Sequence, residues 1–151
     1  MNEHIAEKQQ RYQQFFMQVA KLTANNSFAQ RTKVGAVLVK NGRLIASGWN
    51  GQPSGFPNCC EEKIVDDVTG NVSLKTLPTV IHAEANIISF CAKHGIATNG
   101  TELYITLSPC VSCALLIIQA GIKTVYFNQE YRDLAGVDML RSSGIEVKQI
   151  A

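Results

Sequence analysis

The stretch VIHAEANII, residues 80–88, has the composition of a buried helix but carries two ionisable residues near its start. Six of its nine residues are apolar and favour burial: Val80, Ile81, Ala83, Ala85, Ile87 and Ile88. His82 and Glu84 interrupt this run, and such groups are costly to bury without a partner. Both are accommodated if they stand at the helix start beside a metal ion. His82 would then ligate the ion from the helix edge, and Glu84 would reach over an open coordination position.

A second stretch, SPCVSC at residues 108–113, supplies the other ligands that such an ion needs. Cys110 and Cys113 are three residues apart and share one face of a helix. Pro109 suits the first turn of that helix, where its missing N–H costs little. The helix dipole favours the thiolate form at this end, and thiolate is the form that binds metal. Two helix N-termini are therefore expected to converge on one ion.

The two stretches together predict a catalytic zinc site. One nitrogen and two sulfur ligands suit zinc, and a fourth position open to water is typical of catalytic sites. Zinc lowers the pKa of such a water, and Glu84 is the one base in the motif that can move its protons. Alone, a His-x-Glu pair is usually two solvated residues, and a Cys-x-x-Cys pair is an ambiguous metal or redox signal. The pattern H-x-E followed by P-C-x-x-C is the signature of zinc nucleobase deaminases.

The composition is that of a soluble globular protein. The chain has 151 residues, 46% of them hydrophobic and 17% charged, and its net charge is +2. This length suits one domain, residues 1–151. No basic run favours nucleic acid as a partner, and no apolar run approaches the ~20 residues of a membrane span. The polar N-terminus lacks a signal-peptide core, and an odd number of cysteines, five, argues against a disulfide framework. A cytoplasmic location is expected.

Hydrophobic periodicity and turn signals predict an α/β protein. Helices are expected at about 5–24, from 83 to 93 or 94, from 109 to about 120, and within 133–143. Strands are expected at 34–39, 43–50, 101–107, 123–128 and 145–150, the first two joined by an Asn41-Gly42 hairpin turn. The polar segment 61–78 has no clear periodicity and predicts no element. Alternation after the hairpin implies parallel crossovers with helices on both faces of one sheet.

The chain resembles a known family along nearly its whole length. HAEANII, TLSPCVSCA and the order of strands and helices resemble the cytidine deaminase superfamily. GWNGQPSGFPNCCEE at 48–62, with RTKVGAVLV before it, is similar to the deoxycytidylate deaminases. The resemblance implies a three-layer α/β/α fold with a five-stranded mixed sheet. It also implies zinc-dependent hydrolysis of dCMP to dUMP, which feeds thymidylate synthesis.

The resemblance further implies roles for individual residues. His82, Cys110 and Cys113 would hold zinc, and Glu84 would shuttle protons. Substrate would be contacted by Ser27, Phe28, Asn50 (at the sugar), Ala83 (through its backbone, at the pyrimidine edge) and Tyr131 (near the phosphate). By charge, the candidate phosphate partners are Arg31, Lys33 and Arg132, which the sequence alone does not place.

Regulation and assembly follow from the same resemblance. Gly48, Trp49, Asn50 and Gly51 match the effector motif of enzymes that are often hexamers, activated by dCTP and inhibited by dTTP. The partners implied are therefore dCMP, the effectors dCTP and dTTP, and further copies of this chain. Glycines in such a stretch permit a close backbone approach to a ligand.

Two departures keep alternatives open. Trp49 replaces the usual tyrosine, and Gly-Trp-Asn also occurs in bacterial tRNA adenosine deaminases, although these normally lack the Pro-Ser-Gly and Cys-Cys-Glu elements. dCTP is a further alternative substrate, and a zinc-stabilised binding module without turnover is an alternative of another class.

Some relatives bind a second, structural zinc, but 61–78 contains no His or Cys. We therefore expect one zinc, with Cys91 in the core and His94 polar near a helix end.

Overall fold

The computed structural model describes residues 2–151 and builds four helices and seven strands from them. The helices are α1 (Glu3–Ala24), α2 (Ala83–His94), α3 (Val111–Gln119) and α4 (Ala135–Ser142). The strands are β1 (Gly35–Lys40), β2 (Arg43–Trp49), β3 (Glu61–Val65), β4 (Val72–Thr76), β5 (Glu102–Leu107), β6 (Thr124–Gln129) and β7 (Glu146–Gln149). Within the described residues, no helix combines the length and the apolarity needed to cross a membrane.

Five strands form one mixed sheet in the order β2-β1-β5-β6-β7. β1 is antiparallel to β2 and β5, whereas β5, β6 and β7 run parallel. The predicted hairpin turn is confirmed, because Asn41 and Gly42 both adopt positive φ, at 52° and 72°. Positive φ at both central positions matches the twist of a two-residue hairpin, and Asn-Gly tolerates it best.

Helices cover both faces of this sheet, as predicted. Alternate residues of β1 point to opposite faces, so Ala36 and Leu38 join the core under α2, α3 and α4. Val37 and Val39 join a second cluster with Phe16 and other residues of α1. Burial on both sides explains why the first strand reads as a continuous apolar run. The three-layer α/β/α fold with a five-stranded mixed sheet is confirmed.

The sequence predicts no element in the segment 61–78, but in the structure this segment contains the antiparallel hairpin β3–β4. Most of its residues are exposed on both faces, so no alternation of apolar and polar residues marks the strands. Its turn depends on local chemistry. The Asp66 carboxylate accepts hydrogen bonds from the Val68 and Thr69 N–H groups, which lower its pKa, and Gly70 has φ +72°. β3–β4 lies outside the main sheet.

Helix ends agree closely with the sequence predictions. Gly95 ends α2 in the left-handed conformation, with φ 68°, as a C-terminal glycine does. One boundary differs: α3 begins at Val111, with Cys110 as its N-cap, so Pro109 precedes the helix instead of opening it. Cys91 is fully buried and His94 is exposed, as expected.

Candidate metal centre and active site

Three predicted ligands meet at one point of the structure. The His82 Nδ1 atom lies 3.6 Å from Cys110 Sγ and 3.4 Å from Cys113 Sγ, and all three donor atoms lie within 4.8 Å of one another. Donors about 2.0–2.3 Å from a tetrahedral zinc ion are themselves ~3.6 Å apart. The spacing and the N, S, S chemistry therefore fit a zinc ion at this position.

The secondary structure brings these ligands together as predicted. His82 is the N-cap of α2, Cys110 is the N-cap of α3, and Cys113 lies in the first turn of α3. A single antiparallel bridge between Gly51 and Ile81 fixes the chain just before His82. Both helix N-termini point their positive dipole ends at the same place, which favours anionic ligands there.

Ionisation of the two thiols is unfavourable unless a cation is bound between them. Cys113 is only 3% exposed. Burial raises the pKa of the Cys113 thiol strongly, and the nearby Glu84 and Cys110 raise it further. Two thiolates beside a carboxylate would repel one another without a positive charge between them. A divalent ion supplies that charge and removes the thiol protons.

Glu84 is buried beside the triad, at 4% exposure. Burial raises the pKa of its carboxyl to about 7, partly opposed by hydrogen bonds from its own backbone N–H and from Cys113. A group with a pKa near neutrality can both take and give a proton, which is what general acid–base catalysis needs. In the described structure this carboxyl also lines the cavity that opens over the triad.

That cavity has a volume of about 400 Å³ and suits a small ligand. Its lining includes Asn50, Ala83, Tyr131, Arg31 and Arg132 from among the predicted contacts. Ser27 and Phe28 are not among the lining residues of this cavity. Ser27 is buried behind the wall, and Phe28 is 64% exposed. Lys33 is likewise not among the lining residues, in contrast to the two arginines.

The side-chain amide of Asn50 binds the backbone of the cavity wall on both its oxygen and its nitrogen. Its Oδ1 accepts from the Val34 N–H at 2.9 Å, and its Nδ2 donates to the Thr32 carbonyl at 2.9 Å. The Ser27 hydroxyl donates to the Asn50 carbonyl at 2.8 Å. One Nδ2 hydrogen and one Oδ1 lone pair remain for a ligand. Ser27 therefore contributes to the site by supporting Asn50.

The stretch from Gly48 to Gly51 packs against α2. A Cβ on Gly48 would lie 3.1 Å from Ile87 Cβ and 3.3 Å from the Ala83 carbonyl oxygen, so its close approach is to this helix. The Trp49 carbonyl accepts from Asn86 Nδ2 at 2.7 Å, and the indole is 37% exposed. Gly51 has open space around it.

Two supporting residues are missed by the sequence reasoning. Ser108, 2% exposed, accepts the Tyr131 N–H on its hydroxyl at 2.7 Å. Gly136 lies so close to the ligand loop that a Cβ would be 2.1 Å from the Pro109 carbonyl oxygen and 2.8 Å from that of Cys110. Ser108 adjoins the cysteine motif and could have been noticed there. Gly136 carries no local signal, because its partners come from another part of the chain.

We predict that Gly136→Ala weakens metal binding and lowers stability by about 1–3 kcal/mol, since overpacking against backbone cannot be relieved by a rotamer change. The added methyl group must push the Pro109–Cys110 backbone away from the triad. Metal content after dialysis against a chelator and thermal unfolding measure both effects. Asp138→Ala, an exposed change in the same helix, serves as the control. Normal metal retention in Gly136→Ala would contradict this prediction.

Comparisons with known proteins agree with this geometry. Residues 10–129 match the family model of the cytidine and deoxycytidylate deaminase zinc-binding region. The chain is 37% identical over 142 residues to ComE operon protein 2 of Bacillus subtilis, covering 92% of this chain and 71% of that protein. It is 34% identical over 165 residues to the deoxycytidylate deaminase of enterobacteria phage T4, covering 87% and 86%. A crystal structure of dCMP deaminase from cyanophage S-TIM5, in complex with dCMP and dUMP, is 41% identical with a TM-score of 0.79 and covers 99% of each chain.

Proposed function

Because this chain belongs to the cytidine and deoxycytidylate deaminase family, we propose that it hydrolyses dCMP to dUMP and ammonia with one zinc ion. One observation carries the proposal. The cavity is lined by His82 and Cys110 of the metal-ligand triad, by the buried Glu84 carboxyl and by two arginines, and the Cys113 sulfur lies within 4.8 Å of the other two donor atoms. The triad and the buried carboxylate fit hydrolytic deamination, and the arginines fit a nucleotide monophosphate. The relative solved with dCMP and dUMP supports this substrate.

The reacting groups follow from the geometry of the triad. His82, Cys110 and Cys113 would hold zinc, which would supply a Lewis acid able to lower the pKa of a bound water. Glu84 takes one proton from the attacking water and gives it to the ring nitrogen. It then takes the proton of the hydroxyl added at C4 and gives it to the amine, which leaves as ammonia when the C–N bond breaks and the C4 carbonyl forms. Its pKa of about 7 suits both directions of transfer. The low exposure of Glu84 keeps bulk water away from this proton path.

Substrate recognition is assigned to the cavity lining. The backbone of Ala83 meets the pyrimidine edge, and the free donor and acceptor of the Asn50 amide meet the sugar. Arg31 and Arg132 bind the 5′-phosphate, since guanidinium groups pair with phosphate through several hydrogen bonds. The Arg132 guanidinium lies 5.4 Å from the Tyr131 ring centroid, a cation–π distance that orients both side chains near the phosphate.

Ultraviolet absorbance tests the substrate directly, because deamination removes the cytosine chromophore. We expect dCMP to be turned over with a kcat/KM at least about a hundredfold above that of cytidine, which lacks the groups that two charge-assisted contacts would bind. Comparable rates for cytidine would contradict the assignment of the arginines. Comparable rates for dCTP would make the protein a dual-substrate enzyme. Turnover of adenosine in a tRNA anticodon stem-loop, without turnover of dCMP, would replace the proposal.

Regulation by dCTP as activator and dTTP as inhibitor is part of the proposal. The contact of Gly48 with α2 supports it, because a ligand that displaces residues 48–51 would shift the helix that carries Glu84. We expect a sigmoidal dependence of rate on dCMP that becomes hyperbolic with dCTP. Hyperbolic kinetics with and without both nucleotides would contradict it.

Assembly and location complete the proposal. We assign a homo-oligomer, a hexamer by family likeness, and exposed Phe90, Leu115 and Leu116 on α2 and α3 support an interface between copies. Sedimentation analysis measures the assembly state. We also assign a cytoplasmic location, where a reducing environment keeps cysteines such as Cys59, Cys60 and Cys91 as thiols.

A further inference from the structure

The loop between α1 and β1 forms one wall of the cavity and is held by side chains from elsewhere. Ala29, Arg31, Thr32 and Val34 of this loop line the cavity. A loop without ladder hydrogen bonds needs other partners for its backbone groups. Asn50 binds the loop at Thr32 and Val34. A different element, the hairpin β3–β4, holds the part that carries Arg31.

The hairpin grips two consecutive residues of this loop with one cross-strand pair. Glu61 begins β3, Thr76 ends β4, and the two are register partners in the ladder. Both oxygens of the Glu61 carboxylate accept the Gln30 N–H, each at 2.9 Å. Thr76 Oγ1 accepts from Arg31 Nη1 at 3.1 Å. The backbone just before Arg31 and the guanidinium group of Arg31 are thus both held by the same end of the hairpin.

The burial of Glu61 indicates that its contact with the Gln30 N–H is a stable part of the fold. Glu61 is 8% exposed, whereas its strand neighbour Glu62 is exposed. A buried carboxylate is costly unless hydrogen bonds compensate for lost hydration. Arg31 is exposed, and a free arginine side chain would lose much conformational entropy on binding a ligand. Holding one guanidinium nitrogen in advance reduces that loss and leaves other donors for a phosphate.

We propose that Glu61 and Thr76 are positioning residues, which hold Arg31 where it binds the 5′-phosphate of the substrate. The inference rests on the proposed function, since it assigns the phosphate to Arg31. β3–β4 then acts in substrate affinity and leaves the chemical step to the zinc triad and Glu84. Removing either contact should therefore weaken binding of phosphate-bearing ligands more than it slows turnover.

Steady-state kinetics with dCMP test this separation. We expect Thr76→Val, which is nearly isosteric, to raise KM about fivefold, and Glu61→Ala about tenfold, with kcat changed less than about twofold. Glu61→Gln keeps an acceptor for the Gln30 N–H and should recover most of the affinity. The inhibition constant of dUMP should rise in parallel, whereas that of deoxyuridine should stay unchanged. Glu62→Ala is the matched control on the same strand, and thermal unfolding reports any loss of folding.

Double substitutions that combine Arg31→Ala with a change at Glu61 or Thr76 test whether these two residues act through Arg31. If Glu61 and Thr76 act through Arg31, each second substitution should add less than about twofold to the KM of Arg31→Ala. Fully additive effects, or equal weakening of dUMP and deoxyuridine, would overturn the proposal in favour of direct sugar contact or general damage to the cavity. Failure to recover affinity in Glu61→Gln would overturn the role of Glu61 as the hydrogen-bond acceptor that positions the loop. An error in the proposed function would be visible earlier, as wild-type protein that does not deaminate dCMP.

Discussion

Glu84→Gln should lower the turnover of dCMP by about a thousandfold or more while the protein keeps its metal. General acid–base groups contribute roughly 10²–10⁴-fold, and here one carboxyl is assigned every proton transfer. Glutamine preserves the volume of the side chain and its hydrogen-bonding oxygen but cannot take up a proton. At 4% exposure the side chain sits inside the protein, so bulk buffer has little access to replace it.

Measurement of kcat and of bound zinc in the same preparation separates this role from a structural one. Glu62→Gln, an exposed change of the same chemistry, is the control and should retain both values. Product affinity should also be retained in Glu84→Gln, because none of its binding contacts to sugar or phosphate is removed. A fully active Glu84→Gln enzyme would refute the assigned mechanism, and loss of zinc would make Glu84 a support of the metal site.

Removal of a metal ligand should also reduce turnover strongly, in this case because the metal is lost. Cys113→Ala is expected to lose the metal on dialysis against a chelator and to reduce turnover by at least about two orders of magnitude. The remaining His82 and Cys110 donors lie 3.6 Å apart and offer one nitrogen and one sulfur, too few for a stable zinc site. The change also removes a buried thiol whose raised pKa makes it unfavourable as an uncompensated thiolate.

Cys91→Ala gives a closely matched comparison, because Cys91 is fully buried in a helix of the same layer and stands outside the group formed by His82, Cys110 and Cys113. It should lose some stability by leaving a small cavity yet retain metal and turnover. Added zinc should raise the unfolding temperature of wild-type protein and of Cys91→Ala, but not of Cys113→Ala. An equal zinc-dependent shift in Cys113→Ala would place the metal elsewhere.

Local signals made much of the fold and the triad predictable. Asn41-Gly42 and Gly95 are turn and cap residues whose conformations depend on their own backbone. The ligands also occupy local positions, His82 and Cys110 as N-caps and Cys113 one turn into α3. Each of these features can be inferred from a few neighbouring residues.

Features that depend on distant parts of the chain were not predictable. β3–β4 is exposed on both faces, so nothing in its pattern resembles a half-buried strand. Glu61 receives its role only because Gln30 lies beside it in space. The role of Phe28 follows from the family likeness alone, and the side chain is 64% exposed and outside the lining of the cavity.

The pairing of β1 with β5 also bears on the kinetics of folding. Partners in this ladder, from Ala36 with Ile105 to Val39 with Glu102, are separated by more than sixty residues. Such non-local pairing slows folding, because the chain entropy is lost before the contacts form. The contact between His82 and Cys110 closes a stretch of chain that contains β5, so we expect it to form once β5 has docked. Zinc should therefore act after the rate-limiting step, slowing unfolding of the native protein while leaving the refolding rate nearly unchanged.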